Sequence, residues 1–203
     1  MRTHRLIPLV FGLTAAWSTS GLAQIEVIPF YGYQFGGSFE DVETGQDYDL
    51  ADGPCAGAQL DINLSEIGQF EFYFSRQETE LESEGPFPTD TFFDLDIDYY
   101  HIGTTLLVLQ DEWQPFVVGT LGATHFDPEP AGIGSLTRFS VGLGGGVRYF
   151  PTDHLGLYLA CRGLFTFIDS DTQIVVDSGE TTVHIAADGL WQVVLQAGLI
   201  FHF

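Results

Sequence analysis

The chain has 203 residues, enough for one domain, and carries 28 acidic residues against six Lys and Arg, a formal charge of −22. Phosphate binding needs basic residues, so nucleic acid is excluded as a partner. A 45% hydrophobic and 14% aromatic content is more than disordered acidic chains carry. Lysine is absent, and nothing reads as an interdomain linker.

Arg2, His4 and Arg5 form a positive start, Leu6 to Trp17 an apolar core too short to span a bilayer, and Ser18 to Ala23 a small-residue stretch. Residues 1–23 read as a secretory signal peptide cleaved before Gln24. That residue is not Cys, which argues against a lipoprotein anchor. Residues 24–203 form the remaining domain, with a formal charge of −24 (4 − 28). Its basic residues are Arg76, Arg138, Arg148 and Arg162.

Successive side chains of a strand point to opposite faces, so alternation predicts strands. The first is read over 25–39: Val27, Pro29, Tyr31, Tyr33, Phe35 and Phe39 share a face opposite Glu26, Gly32, Gln34, Gly36 and Ser38. A loop follows over 40–52. The second strand, 54–64, sets Ala56, Ala58, Leu60, Ile62 and Leu64 against Gln59, Asp61 and Asn63. After a tight turn at 65–68, the third sets Phe70, Phe72 and Phe74 against Gln69, Glu71, Tyr73 and Ser75, and runs on into Glu78, Glu80, Glu82 and Glu84.

Beyond a Pro-bearing loop at 85–91, the fourth strand, 92–109, sets Phe93, Leu95, Ile97 and Tyr99 against Asp94, Asp96 and Asp98. Its register blurs after His101, where a bulge is one solution. A turn at 110–113, a weakly alternating strand at 114–126 and a Gly-rich loop lead to the sixth strand, 137–150. There Phe139, Val141, Leu143, Val147 and Tyr149 oppose Ser140, Gly142, Gly144, Gly146 and Arg148. A third tight turn, 151–154, precedes the seventh strand, 155–168, in which Leu157, Leu159, Phe165 and Phe167 oppose Tyr158, Arg162 and Thr166. A long connection, 169–188, precedes the last strand, 189–203. Trp191, Val193, Leu195, Ala197, Leu199, Phe201 and Phe203 share one face there; Gln192, Gln196, Gly198 and His202 share the other.

Connections thus alternate long and short between about eight strands, and no segment after residue 23 has an apolar run of helical spanning length. Only a closed barrel then satisfies the backbone in lipid. The expected fold is all-β: a closed antiparallel up-and-down transmembrane barrel with its polar parity inward. Three features set that orientation. Arg148 and Arg162 have small neighbours, aromatics recur near strand ends as in interfacial girdles, and Lys is missing from the strands.

The alternating last strand closing on Phe203, the chain's loop pattern, and stretches such as Tyr73-Phe74-Ser75-Arg76-Gln77 and Gly142-Leu143-Gly144-Gly145-Gly146-Val147 resemble the small Gram-negative outer-membrane barrels of the OmpA/OmpX-like superfamily. The resemblance implies location in the cell outer membrane, contact with lipid and lipopolysaccharide, and recognition by the barrel-assembly machinery through Trp191, Phe201 and Phe203. A monomer is expected, with no cofactor, no metal and no enzymatic activity.

An eight-stranded interior is just wide enough for side chains. Glu26, Asp61, Glu71, Asp98, Arg148 and Arg162 are therefore expected as a lumen ion-pair network, with Glu26, Asp61, Glu71 and Arg148 near the short-turn end and Arg162 higher, near Asp98 and Gln196. Glu78, Glu80, Asp94 and Asp96 form an acidic outer rim, a solvated extension whose oxygens would also suit divalent cations. The parity of Arg76 is lipid-facing, and it either snorkels or is turned inward by a bulge. Cys55 on the inward parity and Cys161 on the outward one are expected as free thiols. Pro29 and Pro115 lie near the short-turn ends, the wrong height for a lateral gap.

Gly144 to Gly146 lack the Lys and Ser/Thr of a phosphate loop. No His-Ser cluster of the lipid A hydrolase kind is present, leaving only His125 or His184 to meet a loop Ser in space. The function expected is a structural or surface-interaction barrel with a plugged lumen; the alternatives are a narrow solute channel and, behind it, a lipid A-modifying enzyme.

Overall fold

The computed structural model describes residues 24–40, 47–83, 91–109, 111–128, 135–168, 173–175, 182–184 and 189–203. The segment read as a signal peptide lies outside them. The strands are β1 (Ile25–Phe35), β2 (Ser38–Glu40), β3 (Asp47–Leu50), β4 (Gly53–Asn63), β5 (Gly68–Ser83), β6 (Thr91–Leu107), β7 (Trp113–Pro128), β8 (Leu136–Tyr149), β9 (Leu155–Thr166), β10 (Gln173–Val175), β11 (Thr182–His184) and β12 (Leu190–His202).

Eight long strands, β1, β4 to β9 and β12, pair antiparallel with their neighbours in sequence, and β12 returns to β1, so the sheet closes. Closure removes the unpaired edges that lipid would not tolerate. The ladder is staggered. From Gln77 the register runs through Cys55, Gly32, Gln196, Ala160, Gly146 and Phe116 to Leu107, whose amide meets the carbonyl of Ile67, ten residues below the start. That stagger tilts the strands and draws the wall into a narrow tube.

Alternation becomes burial directly. β1 and β9 alternate exposed and buried along nearly their whole length. Glu26, Gln34, Gln59, Asp61, Glu71, Arg148, Arg162, Gln192 and Gln196 are buried, whereas Tyr31, Leu143, Leu159, Trp191 and Leu195 are exposed. The polar side chains are inside and the apolar ones outside, the arrangement of a barrel dissolved in lipid.

Three details differ from the sequence reading. The first strand stops at Phe35, because Gly36 (φ 80°) and Gly37 (φ 123°) adopt the left-handed backbone that glycine tolerates. At Gly37 a Cβ would also lie 2.8 Å from Leu50 and 2.9 Å from Leu190. Second, the stretch read as the first long loop contains β2 and β3, which pair with each other, and β3 pairs with the upper part of β5. The last long connection likewise carries the β10–β11 hairpin.

Third, there is no bulge at His101. The β5–β6 ladder is continuous from Gly68 opposite Leu106 to Glu80 opposite Asp94, and its irregularity lies between Glu80 and Glu82. Directly opposed residues share a face, and Tyr73, Ser75 and Gln77 of β5 face inward. Their partners His101, Tyr99 and Ile97 must do the same. Asp96 and Asp98 of β6 therefore point outward.

Candidate functional site

The lower lumen, toward the short turns, is a charged network. β8 carries Arg148, which donates to Glu26 of β1 and, at 2.7 Å, to the Gln69 side-chain oxygen of β5; Asp61 of β4 lies 3.7 Å away. The guanidinium lies 5.5 Å from the ring centre of Phe150. Glu26 also accepts from Gln69 at 3.0 Å and meets His202 Nδ1 at 3.2 Å. Both oxygens of Asp61 accept from the Gln59 amide, at 2.9 and 2.8 Å.

Above this layer Arg162 donates to Glu71 at 2.7 Å and sits 4.1 Å over the ring of Tyr73. Thr105 donates to the other Glu71 oxygen at 2.8 Å. A neutral chain ties the two layers together: Tyr73 donates to Gln196 (3.2 Å), Gln196 to the Tyr158 hydroxyl (3.0 Å), and Tyr158 to Gln59 (3.1 Å). Buried charges need partners, and each arginine has a carboxylate, although Arg148 Nε and Arg162 Nε and Nη2 are buried without a hydrogen bond among the described residues.

Toward the long connections the lumen is filled instead by an apolar cluster that includes Leu50, Leu95, Ile97, Leu164, Ile168, Leu190 and Val194. The fold-over at Gly36 and Gly37 places Leu50 there. The Leu50 amide donates to the Gly37 carbonyl, and the Gly36 amide to Asp52, both at 2.8 Å. Tyr99 donates to Gln192 at 2.6 Å just beneath, and Gln192 to the Gly36 carbonyl at 3.1 Å.

Glu26, Asp61, Glu71, Arg148 and Arg162 thus lie together in the lumen. Asp98 does not: it is on the outer wall, where Arg76 holds it through Nε and Nη2, both at 2.6 Å. The expected pairing of Arg162 near Asp98 is replaced by Glu71, which lies higher than its place beside Arg148 would require. Arg76 faces outward with its partner opposite it in the ladder. Glu78 and Asp96 are likewise opposed residues on the outer face; the side chains of Glu80 and Asp94 lie outside the described ones. Cys55 is buried and Cys161 exposed, and both are free.

Sequence reading did not find the triplet of His101, whose Nδ1 meets Thr120 at 2.9 Å and whose Nε2 meets Ser140 at 2.8 Å. The parity of Ser140 put it inside, but its partner needed the β6 register. His125 meets Thr137 at 2.8 Å on the outer face; the side chain of His184 lies outside the described ones.

On the outer surface the aromatics form two belts. Trp113 and Tyr149 meet at 4.6 Å, tilted to one another, near the short turns. At the other end Tyr33 meets Phe35 at 4.8 Å, and Phe165 meets Phe167 and Trp191 at 4.8 and 6.1 Å. Amphipathic rings at two levels mark the two interfaces of a bilayer.

Residues 9–203 match the family model described as outer membrane protein beta-barrel domain. The chain belongs to that family. It is an outer-membrane β-barrel protein, and its short turns take the periplasmic side. Among solved structures this barrel is similar to OprG of Pseudomonas aeruginosa (11% identity, 90% of this chain and 96% of that one, TM-score 0.62). It is similar also to AlkL, determined by solid-state NMR in DMPC bilayers (11%, 95% and 96%, TM-score 0.60), and to Neisserial surface protein A (11%, 88% and 97%, TM-score 0.57). At such identities the likeness is one of fold. No curated protein sequence matches the chain.

Proposed function

We propose that this barrel is a closed, non-conducting outer-membrane protein whose work is done at its surface, structural or adhesive, with no catalytic role. The observation that carries this reading is the filling of the lumen at two levels. Ion pairs of Arg148 and Arg162 occupy the periplasmic half, and the cluster around Leu50, Leu95 and Leu190 caps the outer half. A solute would have to displace both. The His101–Ser140 pair supports the non-enzymatic reading. It is buried, and the second ring nitrogen of His101 meets a threonine hydroxyl, with no carboxylate to orient the imidazole as a base.

The outward Trp191 and Phe201 of β12, with Phe203 just after it, are assigned to recognition by the assembly machinery, and one copy of the chain is the working unit. Planar-bilayer recording tests the central reading. The purified barrel is expected to give no steady conductance, and regular open levels from the unmutated protein would replace the plug with a channel.

A further inference from the structure

β1 starts at Ile25, directly after Gln24, the residue expected to follow the signal peptide. Gln24 is exposed at the periplasmic rim, and its carbonyl accepts from the Asn63 backbone amide at 3.0 Å. Beside it Ile25 pairs with Ile62 of β4 and exchanges backbone hydrogen bonds with Phe203, at 3.4 and 2.9 Å. Gln24 is thus pinned by its main chain at the corner where β1 meets both neighbours, while its side chain lies on the surface.

A run of side-chain amides fixes how Gln24 is held. It begins in the lumen at Arg148, whose guanidinium can only donate. The Gln69 oxygen therefore faces Arg148, at 2.7 Å, and the Gln69 nitrogen donates to Glu26 and to the Asn63 side-chain oxygen. Asn63 Nδ2 is then the atom that meets Gln24, and it donates to Oε1 at 3.1 Å. The orientation of each amide follows from the one before it, back to an arginine that has no acceptor. Gln24 presents Oε1 to the protein, and its Nε2 donates to none of the described residues.

We propose that the mature barrel begins at Gln24 and that this residue is converted to pyroglutamate. The proposal rests on cleavage before Gln24, which frees an α-amine able to close a five-membered ring on its own side chain. The amine nitrogen attacks Cδ. An N–Cδ bond forms, the Cδ–Nε2 bond breaks, and Nε2 leaves as ammonia with the proton that the amine gives up. No other reactant is consumed. An α-amine with a pKa of about 7.7–8.0 is partly unprotonated, and so nucleophilic, near neutral pH. The structure suits the product. The atom expelled is Nε2, which holds nothing, and the atom retained is Oε1, the one that Asn63 holds. The exposed position gives the ring room, and the backbone bond from Asn63 uses the Gln24 carbonyl, which the reaction leaves untouched. The blocked terminus is a neutral lactam that offers exopeptidases no free amine at the β1 corner.

Intact mass spectrometry of the barrel isolated from outer membranes tests both parts. The expected mass is that of residues 24–203 less one ammonia. Gln24→Ala should give the mass of the cut chain with no ammonia lost, and unchanged mobility of its unboiled samples on gels establishes that it folds. An isotope-labelled synthetic peptide of residues 24–30 with a free amine, added at lysis, should remain open through the same handling. A chain beginning at Gln24 with its ammonia retained would overturn the cyclisation and uphold the cut. A chain beginning at any other residue would overturn the cut and the proposal with it. Ammonia loss that persists in Gln24→Ala, or conversion of the added peptide to the same extent as the protein, would also overturn it.

Discussion

Arg148→Ala is the most demanding test of the lumen network. The side chain is 1% exposed, and it reaches Glu26, Gln69 and Asp61, on three different strands. Its removal leaves the Glu26 and Asp61 carboxylates, 4% and 1% exposed, without their cation. Breaking a buried pair by deleting one partner costs about 3–5 kcal/mol, mostly the penalty of the stranded charge. With an m-value of about 2 kcal/mol/M in urea, the unfolding midpoint should fall by about 2 M.

The assay is urea unfolding of the barrel refolded in lipid vesicles, read by Trp113 and Trp191 fluorescence and by the mobility of unboiled samples. Leu143→Ala, at a residue 71% exposed on the outer wall, is the control. Glu26→Gln on its own also disturbs the layer, yet in the double variant it should restore part of the loss, with a coupling of roughly 1–3 kcal/mol. A midpoint for Arg148→Ala within about 0.5 kcal/mol of the unmutated protein, the scale of an ordinary surface change, would refute the pairing argument.

The protein is expected in outer-membrane fractions with different mobility boiled and unboiled, and recovery as a soluble periplasmic species would contradict the barrel. Phe203→Asp should reduce assembly much more than Glu43→Gln; equal yields of folded barrel would remove any role for Phe203 in assembly. A membrane-permeant maleimide should label Cys161 in the folded barrel and leave Cys55 unreacted until urea opens the lumen, as mass spectrometry of tryptic peptides will report. Arg162→Ala should destabilise on the scale of Arg148→Ala, since Glu71 is then left with Thr105 alone among the donors described for it. The same urea titration measures it.

The sequence by itself determined the wall. Period-two alternation with glutamines, carboxylates and arginines on one parity and aromatics and leucines on the other specifies both strands and orientation, because in lipid the polar side has nowhere to go but inward. Glu26, Asp61, Glu71, Arg148 and Arg162 could be placed in the lumen on parity alone, as could Cys55 inside and Cys161 outside. What parity cannot supply is which residue stands opposite which. Asp98 follows an alternation that fits either face, and only the β5–β6 ladder, setting it opposite Arg76, sends it outward. Arg162 finds Glu71 because the tilt of a staggered barrel brings β9 and β5 to one level across the lumen. The Gly36–Gly37 reversal that places Leu50 over the mouth depends likewise on contacts distant in sequence, with β5 and β12, whereas local alternation carries the first strand straight on to residue 39 and leaves Leu50 in a plain loop. Side-chain direction is local and survives in the sequence; height and partner depend on closure, which is a property of the whole sheet.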